Sequence, residues 1–182
     1  MATRDDIIDA ALALADASHW ERIRLHEVAA RVGCSLDDIR THFREKEEII
    51  NAWFDRADQA MLGGQTSIYA LIMAWLDALA PYHRVTREMV FTRLEPGHLH
   101  HQLPSVLRIS RTVQWLREAA GRDHAFTARA LDETACTALC VGTFAHWLYD
   151  ESPGQQATRD RLAGALDAAA RARSLLGLHG RS

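Results

Sequence analysis

The sequence predicts an all-α protein, and three observations carry that expectation. Apolar residues recur at helical spacing along most of the chain, no segment shows sustained period-two alternation of β-branched and aromatic residues, and glycines and prolines punctuate the periodic stretches. The composition agrees: 182 residues, 48% hydrophobic and 25% charged, suffice for a globular core without disulfides or metals.

About nine helices follow in order. The first begins near Thr3, where Thr3 and Asp6 approximate a capping box, and sets Ile7, Ala11 and Leu14 on one face before His19-Trp20. The second covers about 25–32 with Leu25, Val28, Ala29 and Val32 on its apolar face, and Gly33 follows where a left-handed cap suits glycine. Ser35 offers a hydroxyl to start a short third helix, which is expected to pack Leu36 and Ile39 inward before Phe43. The pattern is helix, tight turn, helix. A fourth helix over about 46–61 carries Ile49, Ile50, Trp53, Phe54 and Ala57 and links a head of residues 1–60 to a body of residues 61–182. Gly63-Gly64 ends it.

The body supplies five further helices, at about 66–79, 85–94, 103–119, 126–149 and 157–176, with Pro81, Pro96-Gly97, Pro104, Gly121 and Pro153-Gly154 at or near their boundaries. The fourth of these, the eighth of the chain, is apolar all round its axis: Ala135, Cys136, Ala138, Leu139, Cys140, Val141, Phe144, Ala145 and Trp147 leave no polar face. Such a helix must be buried on every side. Core on one side and a second subunit on the other is the economical solution, so a homodimer through helices 8 and 9 is expected.

Several function classes are disfavoured. Cys34, Cys136 and Cys140 make no disulfide framework and read as packed thiols. No signal-peptide pattern opens the chain, where Asp5-Asp6 stand, and the two longest uncharged stretches fall short of the roughly 20 apolar residues of a membrane span. A cytoplasmic protein without integral membrane association is expected. Gly97-His98-Leu99-His100-His101 has no helical i, i+4 ligand pair and reads as a loop rather than a metal site. Arg108, Arg111, Arg117 and Arg122 read as a solvated basic flank. No phosphate loop, nucleophile elbow or paired His-carboxylate motif is present, so no catalytic residue, metal or cofactor is assigned and no enzymatic activity is expected.

The run from Arg24 to Ser35, followed by Ile39, His42-Phe43, Lys46, Glu47 and Ile49, resembles the N-terminal signature of the TetR family of transcriptional regulators. The resemblance implies a TetR-like fold, with a three-helix helix-turn-helix head on a ligand-binding and dimerisation body. It implies a DNA-binding regulator, a repressor, that responds to a small apolar ligand. Carried over by position, Arg24, Arg40, His42 and Lys46 would hold backbone phosphates of a duplex operator while Ser35, Leu36 and Asp38 face bases. Arg40 stands where the family usually has tyrosine, and Asp37 and Asp38 replace small or polar residues. Residues 1–60 hold eight Arg and Lys against thirteen Asp and Glu, a net of −5. That acidity opposes phosphate binding unless the acids lie away from the groove.

The stretch from Leu94 to Ala169 also resembles the C-terminal domain of the TetR-fold lipid-binding protein of ubiquinone biosynthesis. The residues that carry this are Pro104, Leu107, Val113-Gln114-Trp115, Ala119 to Asp123, and Trp147 to Pro153. It implies an alternative function, a lipid or isoprenoid carrier that no longer binds DNA. Both families place a ligand cavity among the body helices, for which Met73, Trp75, Met89, Phe91, Trp115, Phe144 and Trp147 are the candidates here.

Overall fold

The computed structural model describes the backbone of residues 2–94, 99–121 and 126–175. In order these form α1 (Arg4–Ala17), α2 (Leu25–Val32), α3 (Leu36–His42), α4 (Lys46–Met61), α5 (Ile68–Leu79), α6 (His83–Leu94), α7 (Leu99–Ala119), α8 (Phe126–Trp147) and α9 (Gln156–Leu175). Short 3-10 turns at Ala80–Tyr82 and Pro153–Gln155 precede α6 and α9, each with its proline in the first two positions, and no strand occurs among the described residues. The all-α expectation holds. Helix α7 runs through Pro104, which the sequence pattern sets at its boundary. Proline forfeits one ladder bond, and a helix of 21 residues can bear that loss.

Two compact units divide the chain, one of Met1–Ala60 with Asp77–Arg108, the other of Met61–Leu76 with Ile109–Ser182. The first has a core of Ile7, Ile8 and Leu12 from α1, Val28 from α2, Ile39 from α3 and Ile49, Ile50 and Trp53 from α4, with Trp20 and Phe43 sealing it from the connecting turns. Each large side chain buried in this way contributes about 1.5–3 kcal/mol. Trp53 also needs a partner for its indole N–H, and donates to Thr86 Oγ1 of α6 at 2.9 Å, both side chains being buried.

Arginines tie this unit together. Arg56 of α4 pairs with Asp5 and Asp9 of α1, Arg108 of α7 with Asp55 and Asp58 of α4 at 2.7 and 2.9 Å, and Arg93 of α6 donates to Glu47 O and Asn51 Oδ1 of α4. Arg84 reaches the carbonyl end of α1, donating to Asp16 O and to Ala15 O, which also accepts from the Ser18 N–H. The planar fork of guanidinium meets carboxylates and carbonyls two at a time, which an ammonium cannot do. The solvated basic flank expected on α7 is therefore corrected in part. Arg108 is 12% exposed and Arg117 7%, the latter paired with Glu133, because each has an acid within reach only once the helices pack. Arg111 does remain exposed.

In the second unit Leu71, Ile72 and Met73 of α5, Val113 and Leu116 of α7, Cys136 and Trp147 of α8 and Leu162 of α9 are buried. Asp150 closes the α8–α9 connection by accepting from the N–H and hydroxyl of both Ser152 and Thr158 at 2.5–2.9 Å. Those bonds hold its carboxyl well below the usual carboxylate range. Gly154 and Gln155 take positive φ in the same turn, at 63° and 57°. Burial pushes the Cys140 thiol up to about 12, so it stays protonated and packs as an apolar group.

Helix α8 presents two faces. Cys136, Thr143 and Trp147 are buried within the chain, while Ala135, Ala138, Val141, Gly142 and Ala145 form an exposed stripe at positions spaced by three and four. Helix α9 likewise buries Leu162 but leaves Ala163, Gly164, Ala165, Ala168 and Ala169 exposed.

Candidate nucleic-acid interface

The helix-turn-helix is built by local chemistry that can be followed residue by residue. Helix α2 starts with Arg24 N–H donating to Glu27 Oε2 at 2.8 Å and ends at Gly33, whose φ of +76° lies in the left-handed region. A side chain there would meet no neighbour, so the requirement for glycine is one of backbone conformation alone. Two residues on, Ser35 Oγ accepts from Asp38 N–H at 3.1 Å while Asp38 Oδ2 accepts from Ser35 N–H at 2.9 Å and from its hydroxyl at 2.7 Å. This reciprocal box opens α3 just as Thr3 and Asp6 open α1. Both Ser35 bonds favour the carboxylate, and the Asp38 carboxyl is held below its ordinary value.

The outward surface of α3 follows from what α3 buries. Ile39 is 1% exposed and Phe43 also 1%, so the opposite arc carries Leu36, Asp37, Arg40 and Thr41, all exposed. Leu36, expected to pack inward, is 53% exposed and is a correction. With the helix only seven residues long, Ile39 and Phe43 alone fill the space against the head's core. Asp37 and Arg40 pair one turn apart at 3.2 Å, and Thr41 Oγ1 donates to Asp37 O.

The remaining candidates are placed as follows. Arg24 is exposed and donates through one guanidinium nitrogen to the carbonyls of Glu21, Arg22 and Ile23. His42 Nε2 lies 3.2 Å from Ala2 O, at the start of the chain. Lys46 opens α4, is half-buried over the Trp20 ring, and donates from Nζ to Trp20 O at 3.0 Å and Glu21 O at 3.4 Å. Burial lowers its pKa. Arg24 and Lys46 thus converge on the α1–α2 turn and hold it, while Arg40 and Leu36 stand on the outward arc. Three exposed arginines that motif carry-over passed by, Arg22, Arg31 and Arg44, have no ion pair among the described residues. Their signal was available in the sequence, since each sits next to a turn of the motif.

The acids are distributed unevenly. Asp5, Asp9, Asp16, Asp37, Asp55 and Asp58 pair with arginines, and Asp6, Glu27, Asp38 and Glu48 accept from backbone N–H groups at helix starts. Of the thirteen carboxylates in residues 1–60, ten are therefore engaged within the head's own unit.

Among the body candidates the structure brings Trp75 and Phe144 together edge to face at 5.1 Å and stacks Phe144 on Trp147 at 5.8 Å. Met73 is buried in the same unit and Trp115 half-exposed on α7. Met89 and Phe91 belong to the other compact unit, Met89 buried and Phe91 39% exposed. A shallow depression on α8 is lined by Glu133, Thr134, Thr137, Ala138 and Val141, none of them a ligand candidate. No group of His, Cys, Asp and Glu among the described residues is arranged to hold a metal ion. Leu99, His100 and His101, expected in a loop, instead form the first turn of α7, a correction to that reading; their side chains and the whole of His98 lie outside the described residues. No helix, among the described residues, is long and apolar enough to cross a membrane.

Helix α2, its left-handed glycine turn and the capped, outward-facing α3 form a helix-turn-helix. The chain is similar to the TetR transcriptional regulator of Nitrosomonas europaea, with a TM-score of 0.82 and 46% identity, covering 92% of this chain and 97% of that one. It is also similar to a TetR transcriptional regulator of Rhodococcus sp., with a TM-score of 0.68 and 20% identity over 91% and 94% of the two chains, a likeness of fold alone. No protein-family model and no curated protein matches it. The chain belongs to the TetR family of transcriptional regulators.

Proposed function

We propose that this protein is a homodimeric repressor that binds a duplex operator through α3 and leaves it when a small apolar ligand enters the body. The observation that carries this reading is the outward arc of α3, where Leu36, Asp37, Arg40 and Thr41 are exposed next to turns bearing Arg22, Arg31 and Arg44. A recognition helix in the major groove needs such a face, with cations on the flanking turns to hold phosphates. The head's net of −5 weighs less than its size suggests. Arg84 and Arg108, which lie outside residues 1–60, pair with Asp16, Asp55 and Asp58 of that count and offset part of its charge.

The exposed stripes of α8 and α9 support the dimer: small residues allow close approach of a second copy, and burial of Val141 and the alanines would complete what an apolar helix requires. The functional division into a head of residues 1–60 and a body of residues 61–182, and a cytoplasmic site of action, belong to the same reading. The Trp75, Phe144 and Trp147 cluster supports an apolar effector. It equally suits a lipid or isoprenoid carrier, the second reading. Duplex DNA binding at low salt separates the two, because nonspecific phosphate affinity is then strongest. Failure of the dimer to bind genomic and random duplexes sinks the regulator reading. Lipid recovered by extraction from the purified protein would favour the carrier.

A further inference from the structure

We infer that Leu36 reads the C5-methyl group of thymine, so that an A·T pair beneath it in each half-site is a determinant of the operator. The inference rests on the DNA-binding reading above. On α3 itself the polar side chains of the outward arc and its cap bond one another or the helix backbone: Ser35 and Asp38 bond each other, Arg40 pairs with Asp37, and Thr41 donates to the Asp37 carbonyl. The isobutyl group of Leu36, 53% exposed, has no such use. It stands four residues before Arg40 on the same side of the helix, with Ile39 alone turned to the core.

In the major groove, guanine, cytosine and adenine offer hydrogen-bonding edges, and thymine adds the one methyl group. An apolar side chain held at the groove floor therefore prefers thymine, both by contact with its methyl and by leaving no polar base edge unpaired against it. Leucine cannot replace a water on a guanine or cytosine edge, which gives the same position a penalty against G·C.

The full-length protein would select sites from a random duplex pool, and the enriched site would be remade with each thymine in turn replaced by deoxyuridine, which lacks only the methyl. One thymine in each half-site should weaken wild type about fourfold on replacement, the value of one buried methyl. Leu36→Ala should bind thymine and uracil forms equally. Leu36→Gln should move the preference at that pair toward adenine on the strand Leu36 had read as thymine, a gain that a misfolded variant cannot show. Enriched sites insensitive to uracil, or equally sensitive in wild type and Leu36→Ala, overturn the role of Leu36 alone. A pool without enrichment, together with no duplex retention at low salt, overturns the regulator reading and this inference with it.

Discussion

Lys46 Nζ donates to the carbonyl of Trp20 at 3.0 Å and lies 5.1 Å from the centre of the Trp20 ring, so the first residue of α4 is bound to the turn between α1 and α2. It is the single lysine among 21 Lys and Arg. An ammonium suits this place because a compact charge can enter a half-buried corner where two carbonyls converge, whereas guanidinium presents a wide fork.

Lys46→Met keeps most of the stem and removes the donors, leaving the Trp20 carbonyl short of a partner. A loss of about 1–3 kcal/mol is expected, read as a lower urea midpoint at unchanged slope. A variant as stable as wild type would remove the tether.

Ser35→Ala deletes the hydroxyl of the reciprocal box and should cost about 1 kcal/mol in thermal or urea unfolding. Asp38→Ala breaks the same box from the other side, so the double variant should lose less than the sum of the singles. Strict additivity would mean that the two side chains act independently.

Gly33→Ala should destabilise by about 1 kcal/mol although nothing lies within reach of the added methyl, because the strain is in a φ of +76°. Gly33→Asn should cost less, asparagine tolerating that region better. Equal losses for the two would point to a steric cause.

Asp150 gives a pH dependence of known sign. Its carboxyl titrates below the ordinary value of 3.8, so the bonds to Ser152 and Thr158 contribute fully above that value and are lost as pH falls beneath it. Asp150→Ala should therefore be less stable than wild type at neutral pH, by about 2–4 kcal/mol for a charged acceptor leaving buried donors. The gap should close in acid. A gap constant from neutral pH to below 3.8 would refute the assignment.

Val141→Arg places a charge in the middle of the exposed α8 stripe. Sedimentation at micromolar concentration should show a dimer for wild type and a monomer for the variant, with the helical content of both alike. A variant that still dimerises would move the interface elsewhere.

Much of this protein was legible in its residues. The box at Thr3 and Asp6 and the glycine cap of α2 depend on partners three or four positions apart, so adjacency in sequence is adjacency in space. Asp38 obeys the same local rule with Ser35, yet the carry-over from the family set both toward bases. The Ser-x-x-Asp spacing already contained the capping arrangement. Leu36 was harder: its helical position makes it a plausible core residue, and whether the core has room is settled by Ile39 and Phe43 in a seven-residue helix.

By itself the sequence determined the helices, their caps, the helix-turn-helix and the family resemblance, because periodicity, capping and turn chemistry act within a few residues. The destination of the arginines was decided only by the tertiary structure. Arg56 meets Asp5 across 51 positions and Arg108 meets Asp55 across 53, and no local rule selects such partners. Packing the helices chose them, and in doing so drew the acids of the head into its own framework and left Leu36 facing outward.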